Sequence, residues 1–194
     1  MVPLTNLLAF SLAATLLIAI PGPSVLFVVG RSLALGRKGG LLSVLGNAVG
    51  ELLQVAAVAV GLGVVLTQSV ALFTAIKFAG AAYLIYLGFR AIRHRGAGTT
   101  TTAPDRDSSS MKLLREGTVV GATNPKSLMF FVAVLPQFVD YSAGHIPWQL
   151  ATLGLVFLLI AIVSDSAWAM AAGTARRWLH VLPAGLPRWA PPAA

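Results

Sequence analysis

The sequence predicts an all-α polytopic membrane protein, a bundle of five transmembrane helices. Three observations carry this. The chain of 194 residues is 57% hydrophobic and 10% charged, with a mean hydropathy of +0.82; a soluble domain carries roughly 25% charged residues. Five apolar runs, residues 4–30, 41–66, 70–89, 117–139 and 148–173, reach the roughly 20 residues that a helix needs to cross a bilayer. They lack the alternation of strands and exceed strand length. The basic residues, finally, sort onto alternate loops.

The first run is interrupted at Ala19-Ile20-Pro21-Gly22-Pro23-Ser24. Two prolines remove two backbone donors and clash with the preceding turn. In a bilayer the freed carbonyls need partners, so such a break survives only where it is buried in protein or lines a wet cavity. A half-helix starting at Pro23 points its N–H groups into that cavity. The plain reading is a proline kink; the sharper one is a broken helix at a solute site. Residues 1–6 hold no Lys or Arg, so the first run reads as a retained helix and not as a cleavable signal.

The second run carries Glu51 close to mid-depth. Asn47 and Gln54 lie four before and three after it, on one helix face. Gly46 and Gly50 form a small-xxx-small pair, read as packing for a neighbouring helix. The third run holds Lys77 near its outer end, where the stem snorkels. The fourth is interrupted at Thr123-Asn124-Pro125-Lys126-Ser127, and the fifth carries Asp165 between Ser164 and Ser166.

Arg31, Arg37 and Lys38 follow the first run. Arg90, Arg93, Arg95, Arg106, Lys112 and Arg115 follow the third, and Arg176, Arg177 and Arg188 follow the fifth. Twelve of the fourteen basic residues thus lie on one side. The positive-inside rule puts these loops in the cytoplasm and the N-terminus outside. The net charge of +8 is thereby explained without nucleic acid. The Gly/Thr/Ser-rich segment in the third loop reads as a flexible linker. The expected division is a first membrane half over residues 1–93, a cytoplasmic loop over 94–116, a second half over 117–175 and a Pro-rich tail over 176–194. Each half opens with a proline-broken helix, a hint of inverted duplication.

Glu51, Lys126 and Asp165 are ionisable groups at membrane depth, which are costly and therefore functional candidates. Each also has a structural reading: Glu51 bonded to Asn47 or the backbone, Asp165 paired with Lys126, Lys126 snorkelling to the interface. A carboxylate that exchanges a proton at this depth is what a proton-coupled carrier requires. With no cysteine, disulfides, thiol chemistry and Cys-based metal sites are excluded. There is no nucleophile triad, phosphate loop or metal-ligand spacing, and His94, His145 and His180 lie far apart. No enzyme, metal site or cofactor is expected.

Pro21-Gly22-Pro23, the stretch from Lys77 through Gly80, Tyr83 and Tyr86 to Gly88, Thr123-Asn124-Pro125-Lys126-Ser127 and Leu135-Pro136-Gln137-Phe138 together resemble the lysine exporter (LysE/RhtB) family of amino-acid translocators. The resemblance covers about residues 4–173. It implies export of amino acids or related small amphipathic solutes across the bacterial inner membrane, driven by protons, by a six-helix fold of two inverted halves that permits a homodimer. Pro21, Gly22, Pro23, Asn124, Pro125, Lys126 and Asp165 match motif residues of the family. Glu51 rests on the physical argument alone.

The assignment is therefore a proton-coupled exporter. Asp165 and Glu51, with Asn47 beside it, are proton or amine contacts. Asn124, Lys126 and the backbone from Pro21 through Ser24 are carboxylate contacts. The alternative is an inactive or scaffold five-helix remnant of the family. The family's sixth helix has no counterpart here: the tail after Arg176 contains Pro183, Pro187, Pro191 and Pro192 and no apolar run of about 18 residues. The expectation is a truncated or frame-shifted member. Reading the coding DNA past Ala194 in all three frames should then reveal an apolar stretch of about 20 residues; its absence in every frame counts against truncation.

Overall fold

The computed structural model describes residues 1–68, 70–93 and 109–181. The tail beyond 181 and the linker over 94–108 lie outside them. Among the described residues there are six α-helices: α1 (Leu4–Ala19), α2 (Pro23–Gln68), α3 (Val70–Arg93), α4 (Ser110–Ala122), α5 (Pro125–Ala133) and α6 (Ile146–Val181). A 3-10 turn, Leu135–Phe138, follows α5. No strand occurs among the described residues. The chain is an all-α membrane helix bundle.

Both predicted interruptions are real. α1 stops at Ala19 and α2 starts on Pro23. α4 and α5 meet at Thr123-Asn124 with a bend of 43°. Pro125 opens α5 and the Asn124 side chain caps it, accepting from Lys126 N at 3.1 Å. A missing N–H costs nothing at a first helical position, and Asn is a strong cap.

The loop expected around Arg31, Arg37 and Lys38 is instead one residue long. Gly36 sits at φ 78°, ψ −176° within α2, a conformation that glycine adopts freely. A Cβ on Gly40 would lie 1.8 Å from Ser32 Oγ, whereas eight residues of straight helix span roughly 12 Å. The chain therefore doubles back at Gly36, and α2 is two rods, residues 23–35 and 37–68. Among the described residues, Ile146–Arg176 is long and apolar enough to cross a membrane, as is the bent pair Ser110–Ala122 with Pro125–Phe138; Pro23–Gly61 also passes by length and composition but is divided by the reversal at Gly36. α1 is shorter, at 16 residues. The first predicted run is thus shared between α1 and the first rod of α2.

α4 begins seven residues earlier than the fourth run. Ser109 accepts from Lys112 N at 3.2 Å and so caps it, and Leu113 is buried. Its first turns extend into the segment read as linker. α6 likewise runs past 175, to Val181.

Two sets of contacts hold the bundle. One is apolar: Phe10 of α1, Phe130 and Phe131 of α5 and Phe157 of α6 form an aromatic core, with Phe131 and Phe157 edge-to-face at 4.8 Å. The other is a helix crossing with almost no side chain in it. A Cβ on Gly46 would meet Leu114 O at 2.3 Å, and one on Gly50 would meet Thr118 O at 2.2 Å. From the other side, a Cβ on Gly117 would lie 2.6 Å from Ser43 O and one on Gly121 would lie 2.1 Å from Asn47 O. The pair Gly46/Gly50 on α2 is met by Gly117/Gly121 on α4, so the two backbones touch.

The ends of the bundle differ in chemistry. At one, Arg31 bonds Glu116 at 2.7 Å and Arg37 donates to Thr174 at 2.8 Å. At the other, Asn6 donates to Phe138 O at 3.0 Å. There Gln149 bonds the main chain of Asp140 and Gly144 and closes the turn before α6. The Ser142 hydroxyl and the Ala143 and Ser142 N–H groups hold the exposed Asp140 carboxyl below the usual carboxylate range. That cap is present at neutral pH and is lost as pH falls through the depressed value.

Gly121→Val should prevent the α2–α4 crossing, since the added atoms meet backbone and not a flexible side chain. The expected outcome is loss of the monodisperse peak in detergent size-exclusion chromatography. Gly61→Ala, where nothing lies within 4 Å, should elute as wild type.

Candidate functional site

The two breaks, α2 and α6 line a half-open cavity of about 30 Å³. It is lined at its polar side by Ser24, Glu51, Asn124, Lys126, Ser127 and Asp165, and at its apolar side by residues including Leu17, Val25, Phe157 and Ala161. Its volume takes one or two waters and is smaller than any amino acid.

Each polar side chain is placed by a local feature of the sequence. Ser24 is the second residue of α2, directly after the break. Asn124 is the cap of α5, and its Nδ2 donates to Ser24 Oγ at 2.8 Å and to Ser127 Oγ at 2.9 Å. One amide thus ties the two breaks together. Ser127 Oγ in turn donates to Glu51 Oε1 at 2.8 Å. The second carboxylate oxygen of Glu51 has no hydrogen-bond partner, although the residue is only 3% exposed. Gln54, one turn along α2, donates to the carbonyls of Ala122 and Asn124, at 3.0 and 3.1 Å. The Ala122 carbonyl is one that the break in the fourth span frees; that of Asn124 also accepts from Leu128 N.

Lys126 performs the equivalent service for the first break. Its Nζ donates to Leu17 O at 2.7 Å and to Ile20 O. A helix C-terminus carries partial negative charge and unpaired carbonyls, and an ammonium from another helix satisfies both. The stem of Lys126 lies against Gly22, where a Cβ would be 3.0 Å from Lys126 Cδ. Asp165, 4% exposed, faces Lys126 across the cavity. The pair does not close to an ion pair, and Asp165 makes no hydrogen bond among the described residues.

The structure therefore gathers Gly22, Ser24, Glu51, Asn124, Lys126 and Asp165 around one cavity. Pro21, Pro23 and Pro125 shape the breaks without lining it. Asn47 is buried at the helix crossing, where its carbonyl faces Gly121; its Oδ1 has no partner. Ser127, Phe157 and Ala161 were not singled out as site residues. The last two precede Asp165 by eight and four residues, so helical spacing alone puts them on its face. The side chain of Lys77 lies outside the described residues.

A family model described as LysE type translocator matches residues 15–185. The chain belongs to that family. Among curated relatives of this translocator, an uncharacterized membrane protein of Vibrio cholerae is 36% identical over 170 residues, 87% of this chain and 82% of the relative. The uncharacterized membrane protein YrhP of Bacillus subtilis is 31% identical over 182 residues, 90% of this chain and 86% of its own. A homoserine/homoserine lactone efflux protein of Salmonella typhimurium is 32% identical over 171 residues, 88% and 82% of the two chains. No solved structure matches the translocator.

Lys126→Met should leave the carbonyls of Leu17 and Ile20 without their charged donor. Hydrogen bonds to charged groups contribute about 1.5–3 kcal/mol. Thermal unfolding in detergent should show a lowered Tm, with Lys126→Arg recovering part of the loss. Gly22→Ala should change little, because the atom it meets is in a flexible side chain.

Proposed function

We propose that this translocator exports amino acids or closely related small amphipathic solutes, in exchange for protons. The observation that carries the reading is the cavity itself. Two interrupted helices meet there, and it holds two buried carboxylates and one half-buried amine. The Salmonella relative, an efflux protein for homoserine and its lactone, supports the solute class.

The chemistry follows from the residues. Glu51 and Asp165 sit where a bare carboxylate is costly. Each therefore favours a proton or a cationic group beside it, and the two kinds of occupant compete. Release of a proton on one side and of solute on the other gives exchange, provided the cavity opens to each side in turn. The cavity is too small for the solute as it stands, so admission requires its walls to part. The Lys126 contact across the first break is one of the bonds that must loosen.

The charged ends fix the orientation in this reading. The end with Arg31, Arg37, Lys112, Arg115 and Arg176 faces the cytoplasm, and Asp140 and the N-terminus lie outside, across the bacterial inner membrane. A homodimer is compatible with this arrangement.

The test is flux in proteoliposomes. Vesicles preloaded with labelled homoserine should release it when a proton gradient is imposed. Asp165→Asn should reduce release to background with insertion intact. Undiminished release by Asp165→Asn would remove that residue from the mechanism; release independent of the gradient would remove the protons. Absence of flux in the wild type favours a scaffold.

A further inference from the structure

The cavity's unmatched groups are acceptors, and this specifies what it recognises. Resting on the export reading, we infer that the cavity binds its solute by a primary ammonium group, held between Glu51 and Asp165, and that it requires no free carboxylate on the solute.

Four observations converge. Glu51 Oε2 is buried, without a hydrogen-bond partner, on a residue that lines the cavity. A buried acceptor left unsatisfied is destabilising until something donates to it. Asp165, also buried on the cavity wall, adds a second carboxylate without a hydrogen bond among the described residues.

Most of the side-chain donors that a carboxylate would need are already engaged. Lys126 Nζ is held by two main-chain carbonyls. Asn124 Nδ2 is shared between Ser24 and Ser127, and the Ser127 hydroxyl is directed at Glu51. What remains for an anion is the third N–H of Lys126 and the Ser24 hydroxyl hydrogen, with main-chain N–H at the start of α2 that carries partial charge only.

The charge balance agrees. With all three groups ionised, two carboxylates face one ammonium, a net charge of −1. A monocation closes that balance in a medium where an unpaired charge is costly. A zwitterion leaves it open, and an anion worsens it. The volume agrees as well: room for one or two waters is room for an –NH3⁺ head, with the rest of the solute requiring the walls to part.

The experiment uses the full chain purified in detergent, in potassium phosphate at neutral pH, where an α-amine with pKa about 8 is still mostly protonated and protons compete less for the two carboxylates. Thermal unfolding is followed with three probes at matched millimolar concentration. Homoserine amide is a cation, homoserine a zwitterion and N-acetylhomoserine an anion without an amine. A ligand that binds the folded state raises Tm. The amide should raise it by at least as much as homoserine, and N-acetylhomoserine should leave it unchanged. Glu51→Gln should lose the shift. Should that variant fail to fold, Asp165→Asn serves in its place.

The inference is overturned if the amide gives no shift, if N-acetylhomoserine gives one, if homoserine stabilises and the amide does not, or if replacing potassium by sodium reproduces the effect without any amine. A shift with the amide together with absent flux in vesicles would strike the export reading and leave amine recognition standing. Flux with no amide shift would do the reverse.

Discussion

The contact on which the rest depends is the donation from Lys126 to the carbonyls of Leu17 and Ile20. A helix that stops inside hydrocarbon leaves main-chain acceptors with no water to meet them. Here the missing donors come from a different helix, one that is itself interrupted. Gln54 answers the carbonyls of the second interruption in the same way. Each break is thus made tolerable by a side chain reaching over from elsewhere, and the reach is what brings the broken ends to a common centre. The cavity is the space left where these bridges cross.

A second constraint keeps that centre in register. Gly46 and Gly50 meet Gly117 and Gly121 with backbone on backbone. Without a hydrophobic driving force between helices in lipid, such close approach supplies the packing that association needs. It also sets the separation between Glu51 on α2 and the α4–α5 break, within which the hydroxyl of Ser127 spans to the carboxylate. Larger residues at the crossing would move the acid away from its partner before any of the polar groups were altered.

Much of this was legible in the residues. Prolines in apolar runs announced the interruptions, because no helix passes two of them unchanged. Glu51, Lys126 and Asp165 stood out because charge is rare at that depth. The Gly46/Gly50 pair suggested close packing, while its counterpart, Gly117/Gly121, passed unnoticed because it falls where the run was read as just beginning. Other features depend on tertiary placement that periodicity does not encode. Gly36 in a basic, polar stretch looked like part of an ordinary loop; only the approach of Gly40 to Ser32 reveals a one-residue reversal. Lys126 is open in the sequence to binding a carboxylate, pairing with Asp165 or snorkelling, and nothing there tells that two carbonyls from α1 lie within its reach. The early start of α4 was masked by a linker-like composition that gives no hint of a capped Ser109.

The manner in which α1 is attached has a mechanical corollary. α2 and α4 are seated against each other at their main chains, and α6 brings Gly154 against Val55 and Gly173 against the main chain of Arg37. These three form a block with little slack. α1 instead rests on α5 and the turn after it, through the ring of Phe10 against Phe130 and Phe138, the Asn6 bond to Phe138 O and one long, flexible amine. Such attachments slide and re-form at low cost, whereas interlocked backbones do not. Of the walls of the chamber, the helix ahead of the first interruption is thus the one held without the glycine contacts that seat the others.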